Sequence, residues 1–188
     1  IDGFIFIGES TTYHMINRGV LSGGKDTKQV WGPEGGTILL DPSIKTLEIV
    51  YPETGEKMTI AEAAALKKPE YVLLTFGLNG AVGNVNRGKE YYISVYSSLV
   101  NEIKKASPDT KIIIQSCFPV AKNMDMSNYG IDAATLNLHI ATLNGWALEM
   151  ACSLSLKYLD SFDVFTGGDG MLKSEYQTGD GYHLTAEA

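Results

Sequence analysis

A hydroxyl near one end of this 188-residue sequence, and an imidazole and a carboxylate near the other, are the groups that acyl transfer through a serine requires. The hydroxyl is Ser10, in Phe4-Ile5-Phe6-Ile7-Gly8-Glu9-Ser10-Thr11-Thr12. Four apolar residues in a row predict a buried parallel strand; Gly8 permits a tight turn, and Thr11 and Thr12 open a helix. A serine between a buried strand and a helix start sits where α/β proteins place their chemistry. The helix start also offers unpaired backbone N–H groups to a developing negative charge. A helix-capping serine would give the same local pattern, so Ser10 alone does not decide the matter.

The other two groups lie in Thr178-Gly179-Asp180-Gly181-Tyr182-His183-Leu184. On a helical or tight-turn backbone, residues three apart share a face, which lets Asp180 reach the Nδ1–H of His183. Such a carboxylate fixes the tautomer and steadies the imidazolium formed when the histidine takes a proton. Asp180 acting only as a cap or turn residue is the plainer reading of that segment by itself. His14 and His139, the remaining histidines, fit packed or solvated structural roles better than functional ones. Asn79, in Gly77-Leu78-Asn79-Gly80, can donate its side-chain amide to an oxyanion, although Asn-Gly is also a common turn pair.

The elements that must position these groups alternate along the chain. After Ser10 a short helix through Tyr13 and Ile16 stops at Gly19. A long connection over 20–40 contains a short strand at Gln29-Val30-Trp31 and the turn Gly32-Pro33-Glu34-Gly35-Gly36. Residues 41–58 read as an irregular or hairpin-like excursion in which Leu47, Ile49 and Tyr51 alternate. Thr59-Ile60-Ala61-Glu62 has capping-box spacing and opens an Ala-rich helix that ends at Pro69. Strands follow at 71–76 and 111–116, with a helix from Lys89 to Ala106 between them whose apolar stripe is Tyr92, Val95, Leu99 and Ile103. A second long helix spans about 133–156, a short last strand 157–160, and a Gly- and Asp-rich loop 161–182. Alternation of this kind predicts one α/β domain over 1–188, with a parallel sheet covered by helices on both faces. Strands 4–7, 71–76 and 111–116 all end in polar or glycine-rich loops on one sheet edge, where the active site is expected.

Bulk properties narrow the partners. A hydrophobic fraction of 44% and a charged fraction of 20% are those of an ordinary globular protein, and the formal net charge of −7 disfavours nucleic acid or an anionic membrane surface. No segment is long and apolar enough to span a bilayer. Cys117 and Cys152 read as small buried residues rather than a disulfide or metal pair. The chain starts inside its first strand without Met and ends at Leu184-Thr185-Ala186-Glu187-Ala188, which reads as the first turn of a helix. It is therefore expected to be a piece of something longer.

In chain order, Gly8-Glu9-Ser10, Gly35-Gly36, Gly77-Leu78-Asn79 and Asp180-Gly181-Tyr182-His183 resemble the four motif blocks of the SGNH (GDSL-type) hydrolases. The resemblance spans residues 8 to 183. It implies a three-layer α/β/α, flavodoxin-like fold with about five parallel strands. It further implies an ester hydrolase with Ser10 as nucleophile, His183 as general base and Asp180 as its orienting acid. The oxyanion hole would be formed by Ser10, Gly35 and Asn79. No metal or organic cofactor is implied, and a small-molecule or carbohydrate ester is the implied substrate, with a short acyl group such as acetyl preferred. The loops over 20–58 and 118–132 are expected to wall the pocket. Secretion or cell-surface attachment is expected from family habit and from the trimmed start.

Three departures accompany the resemblance. Gly-Asp-Ser appears as Gly8-Glu9-Ser10, one methylene longer, which bears on the hydrogen bonds the acid makes. Gly80 stands where the third block has an aspartate. In Pro33-Glu34-Gly35-Gly36-Thr37, Gly35 is preferred as the second-block glycine with Gly36 close behind. Two rival readings remain: a binding module that keeps the fold with little catalysis, and a flavodoxin-like nucleotide or phosphate binder using the Ser10-Thr11-Thr12 turn as an anion cradle. That turn lacks a basic residue and a glycine run, which ranks the second rival last.

Overall fold

The computed structural model describes residues 1–188. β1 (Phe4–Gly8) leads directly into α1 (Ser10–Arg18), and β2 (Val30–Trp31) follows a loop. β3 (Glu48–Val50) and β4 (Lys57–Thr59) form a separate antiparallel hairpin. Next come α2 (Ile60–Lys67), β5 (Tyr71–Thr75), α3 (Ala81–Arg87), α4 (Lys89–Ala106) and β6 (Lys111–Gln115). The chain closes with α5 (Ala133–Ser153), β7 (Lys157–Leu159) and a single turn, α6 (Phe162–Phe165). Five strands make one parallel sheet in the order β2-β1-β5-β6-β7.

Register decides what each strand buries. β1 pairs with β5 so that Phe4 faces Tyr71 and Gly8 faces Thr75, bringing both strand ends to one edge. Ile5, Ile7, Val72, Leu74, Ile112 and Ile114 point to the face covered by α4 and α5, where they join Tyr92, Tyr96, Leu99, Ile140 and Leu143 in one core. The two buried tyrosines donate to carbonyls of the central strand and its extension, Tyr96 to Leu74 at 3.1 Å and Tyr92 to Phe76 at 3.1 Å. Phe4, Phe6 and Leu73 point to the opposite face, where α1 leaves an apolar groove of about 540 Å³.

Most elements lie where the sequence predicts them. The capping box at Thr59 and Glu62 is formed, and Gly19 ends α1 in the left-handed region at φ 63°. Four segments differ. α6 is a single turn inside the expected 161–182 loop. α3 is a helix in a stretch to which the sequence assigns no element; its Gly83, Asn84 and Asn86 are poor helix formers, and packing against α4 and α5 overrides them. α5 stops at Ser153, because Ser155 turns to φ 54° and leaves Leu154 and Leu156 beyond the helix. The C-terminal segment is extended rather than helical: Leu184 bridges Gln177 in antiparallel fashion and the Thr185 N–H donates to Tyr176 O at 2.8 Å.

Candidate active site

Ser10 stands at the first position of α1, one residue earlier than the predicted helix start. Its approach from β1 requires glycine, since a Cβ on Gly8 would lie 2.4 Å from Thr12 Oγ1 and 2.6 Å from Thr75 O. Glu9 is the N-cap, in extended conformation, but its side chain makes no bond to the helix end. It turns inward instead, 1% exposed, and accepts from the N–H groups of Gly77 at 3.2 Å and Leu78 at 2.9 Å. The longer acid therefore ties the Ser10 turn to the loop that carries Asn79. Burial pushes the Glu9 carboxyl up to about 7, against the downward pull of the backbone N–H groups of Asn79, Gly77 and Leu78.

Ser10, Asp180 and His183 come together across the ends of the chain. His183 Nε2 lies 3.1 Å from Ser10 Oγ, and His183 Nδ1 lies 2.7 Å from Asp180 Oδ2. The second Asp180 oxygen accepts from the N–H groups of Tyr182 at 3.1 Å and His183 at 2.9 Å. One carboxylate thus shapes the turn with Oδ1 and holds the imidazole with Oδ2. Partial burial opposes its ionisation, but the His183 N–H, the His183 ring and the Tyr182 N–H outweigh that and hold its pKa down at about 2. His183 itself is buried, 7% exposed, so the imidazole works largely out of water.

That loop is anchored through a relay the sequence did not disclose. On α5, Asn137 and Asn144 are buried and seven residues apart, which stacks them on one helix face about 10.5 Å apart. Asn144 accepts from Cys117 N–H at 2.8 Å and donates to Cys117 O at 3.1 Å. Asn137 makes the same pair with Val120, at 2.7 and 3.0 Å. Three residues of extended chain span about 10 Å, so the loop after β6 fits the two clamps. The loop in turn grips the histidine turn: Ala121 N–H donates to Gly181 O at 2.7 Å, and Asn123 Nδ2 donates to Gly179 O at 2.9 Å. Gly181, at φ 92°, packs so close that a Cβ would come within 2.8 Å of Met124 Cα. Buried asparagines on the apolar side of a predicted helix were the available signal.

A cleft of about 590 Å³ opens beside Ser10 and Asn79. Its walls include Thr37 and Leu39 from the 20–58 region and Met124, Met126 and Tyr129 from the 118–132 region, and no charged side chain lines it. The Asn79 side-chain amide has no protein partner. The second-block glycines differ in what they have free. Gly36 N–H closes a turn onto Pro33 O at 2.9 Å, and its Cα lies under the Tyr13 ring, where a Cβ would fall 2.3 Å from Tyr13 Cδ1. Gly35 N–H has no protein acceptor, and open space surrounds its Cα. Gly35 does not itself line the cleft; Thr37 does. His14, expected to be structural, stacks on the His183 ring with centroids 3.8 Å apart and 11° between planes. Both cysteines are free thiols; Cys117 is buried as expected, whereas Cys152, near the end of α5, is exposed against expectation, and no helix is long and apolar enough to cross a membrane.

The sequence model of the GDSL-like lipase/acylhydrolase family matches residues 51–188, which include Asn79, Asp180 and His183 but begin after Ser10 and Gly35. No curated protein matches the chain. Solved structures do. A protein from Streptococcus pneumonia, provisionally described as a platelet activating factor, is 18% identical with a TM-score of 0.65, over 98% of this chain and 77% of its own. The periplasmic domain of a lipopolysaccharide acetyltransferase from Salmonella ser. Paratyphi A is 19% identical with a TM-score of 0.61, over 98% and 78%. A GDSL-like lipase from Bacteroides thetaiotaomicron is 17% identical with a TM-score of 0.57, over 98% and 80%. At these identities the likeness is one of fold.

Proposed function

The chain belongs to the GDSL-like lipase/acylhydrolase family, has the SGNH hydrolase α/β fold, and on that premise we propose that it is a serine ester hydrolase acting through Ser10, His183 and Asp180. The observation that carries this reading is the unbroken relay from Ser10 Oγ to His183 Nε2 and from His183 Nδ1 to Asp180. Ser10 Oγ attacks the acyl carbon of the ester while His183 Nε2 takes its proton. Charge moves onto the former carbonyl oxygen, which the Ser10 and Gly35 N–H groups and the Asn79 amide stabilise. His183 returns the proton to the departing alcohol, leaving an acyl-serine. Water, activated by the same imidazole, then releases the acid and restores Ser10.

The substrate we favour is a short acyl ester, such as an O-acetyl group on carbohydrate. One fold neighbour is named as a lipopolysaccharide acetyltransferase, and the uncharged cleft offers an acyl chain no ionic partner. The test compares hydrolysis of p-nitrophenyl acetate, p-nitrophenyl octanoate and an O-acetylated polysaccharide by wild type and Ser10→Ala. We expect release from the acetyl substrates that Ser10→Ala loses by at least about 10³-fold. Turnover confined to octanoate would replace the short-acyl assignment, and release unaffected by Ser10→Ala would refute the serine mechanism.

A further inference from the structure

The relay fixes His183 at two ring atoms only. Nδ1 is held by Asp180 and Nε2 faces Ser10. Neither contact bears on the ring faces, so a turn of the ring about its Cβ–Cγ bond, which swings Nε2 out of line with the Ser10 hydroxyl, is opposed by those two hydrogen bonds alone. Contacts on the ring faces must supply any further restraint. Two rings are in place: His14, nearly parallel at 3.8 Å, and Tyr182, tilted by 40° at 4.0 Å. Rings this close cannot share a face. They also line different sides of the molecule, Tyr182 the cleft beside Ser10 and His14 the apolar groove across the sheet.

We propose that His14 is a positioning residue that holds the plane of the His183 imidazole so that Nε2 stays aimed at Ser10. This rests on the serine-hydrolase reading above. The placement follows from the sequence: His14 is four residues after Ser10 on α1, so both side chains share a helix face one turn apart. One rigid helix thus sets the nucleophile and the plate against which its base lies. The plate also suits the charge that develops. When His183 takes the Ser10 proton it becomes a cation against the π-face of a neutral ring. Burial first, then His183 and the Arg18 guanidinium one turn further along α1, hold His14 below its ordinary pKa, which favours the neutral ring; Asp180 pulls the other way.

His14→Phe keeps a flat ring and His14→Leu fills a similar space without one. Steady-state kinetics on p-nitrophenyl acetate should give His14→Leu a kcat at least about tenfold below wild type with KM within about twofold, and His14→Phe should recover most of that loss. The low-field proton resonance of the His183 Nδ1–H should stay sharp in His14→Phe and broaden in His14→Leu, with both variants melting as cooperatively as wild type. Equal kcat and equally sharp resonances in the two variants would overturn the proposal. So would a His14→Phe as impaired as His14→Leu. A wild type that neither turns over esters nor reacts with a fluorophosphonate removes the hydrolase reading itself, while the resonance comparison still tests the stack.

Discussion

Asp180 divides its carboxylate between two tasks, and replacing it with Asn separates them. Asn keeps an oxygen for the Tyr182 and His183 N–H groups, so the turn survives, but its Nδ2 donates toward His183 Nδ1 and enforces the wrong tautomer. Asp180→Asn should lower kcat about 10³–10⁴-fold with little change in KM or melting temperature. A loss below tenfold would exclude the assigned role. Glu9 makes a different prediction, because its pKa lies above the unfolded value of 4.5. Its contribution to stability is whole below about pH 4.5 and is lost as pH rises through about 7. This one group should leave the fold about 3 kcal/mol less stable at pH 8 than at pH 4.5. Urea titrations across that range should show the decline in wild type and its absence in Glu9→Gln. An identical slope in both proteins would assign it elsewhere.

At the scale of elements, α5 acts as a ruler for the loop after β6. Asn137→Ala leaves the Val120 N–H buried without a partner, and Asn144→Ala does the same to Cys117, each at a cost of about 2 kcal/mol in urea denaturation. Asn137 also donates to Gly170 O at 3.0 Å, so its loss frees two loops. We expect kcat to fall in Asn137→Ala by about tenfold, through the grip of Ala121 and Asn123 on the histidine turn. Unchanged kcat would uncouple the loop from catalysis. The sheet strands were legible from their unbroken apolar runs and the long helices from their apolar stripes at steps of three and four. α3 was not, because Gly83, Asn84 and Asn86 carry no helical signal and only packing makes the helix. The extended course of 184–188 was hidden too, since a bridge to Gln177 depends on a loop folding back.

Across the whole molecule, parallel pairing brings residues 173 apart in sequence to within hydrogen-bond distance at one sheet edge. That Ser10, Asn79, Asp180 and His183 would gather at one sheet edge was legible because each sits at a strand end or in a late turn and the chain order is distinctive. Glu9 tying two loops together, His14 as a stacked plate and the asparagine clamps were not, since each depends on distances between segments that sequence spacing does not encode. The fold holds without a covalent cross-link: one thiol, Cys152, should react with Ellman's reagent in the native state and a second, Cys117, only in denaturant. Two fast-reacting native thiols would mean that the core around Cys117 opens. The central claim, that Ser10 is a nucleophile raised by His183, is tested most directly by intact mass after treatment with a fluorophosphonate. One adduct should form on wild type, mapped to Ser10, and none on Ser10→Ala or His183→Ala over the same time. A wild type left unmodified, or labelled equally in Ser10→Ala, would contradict that claim.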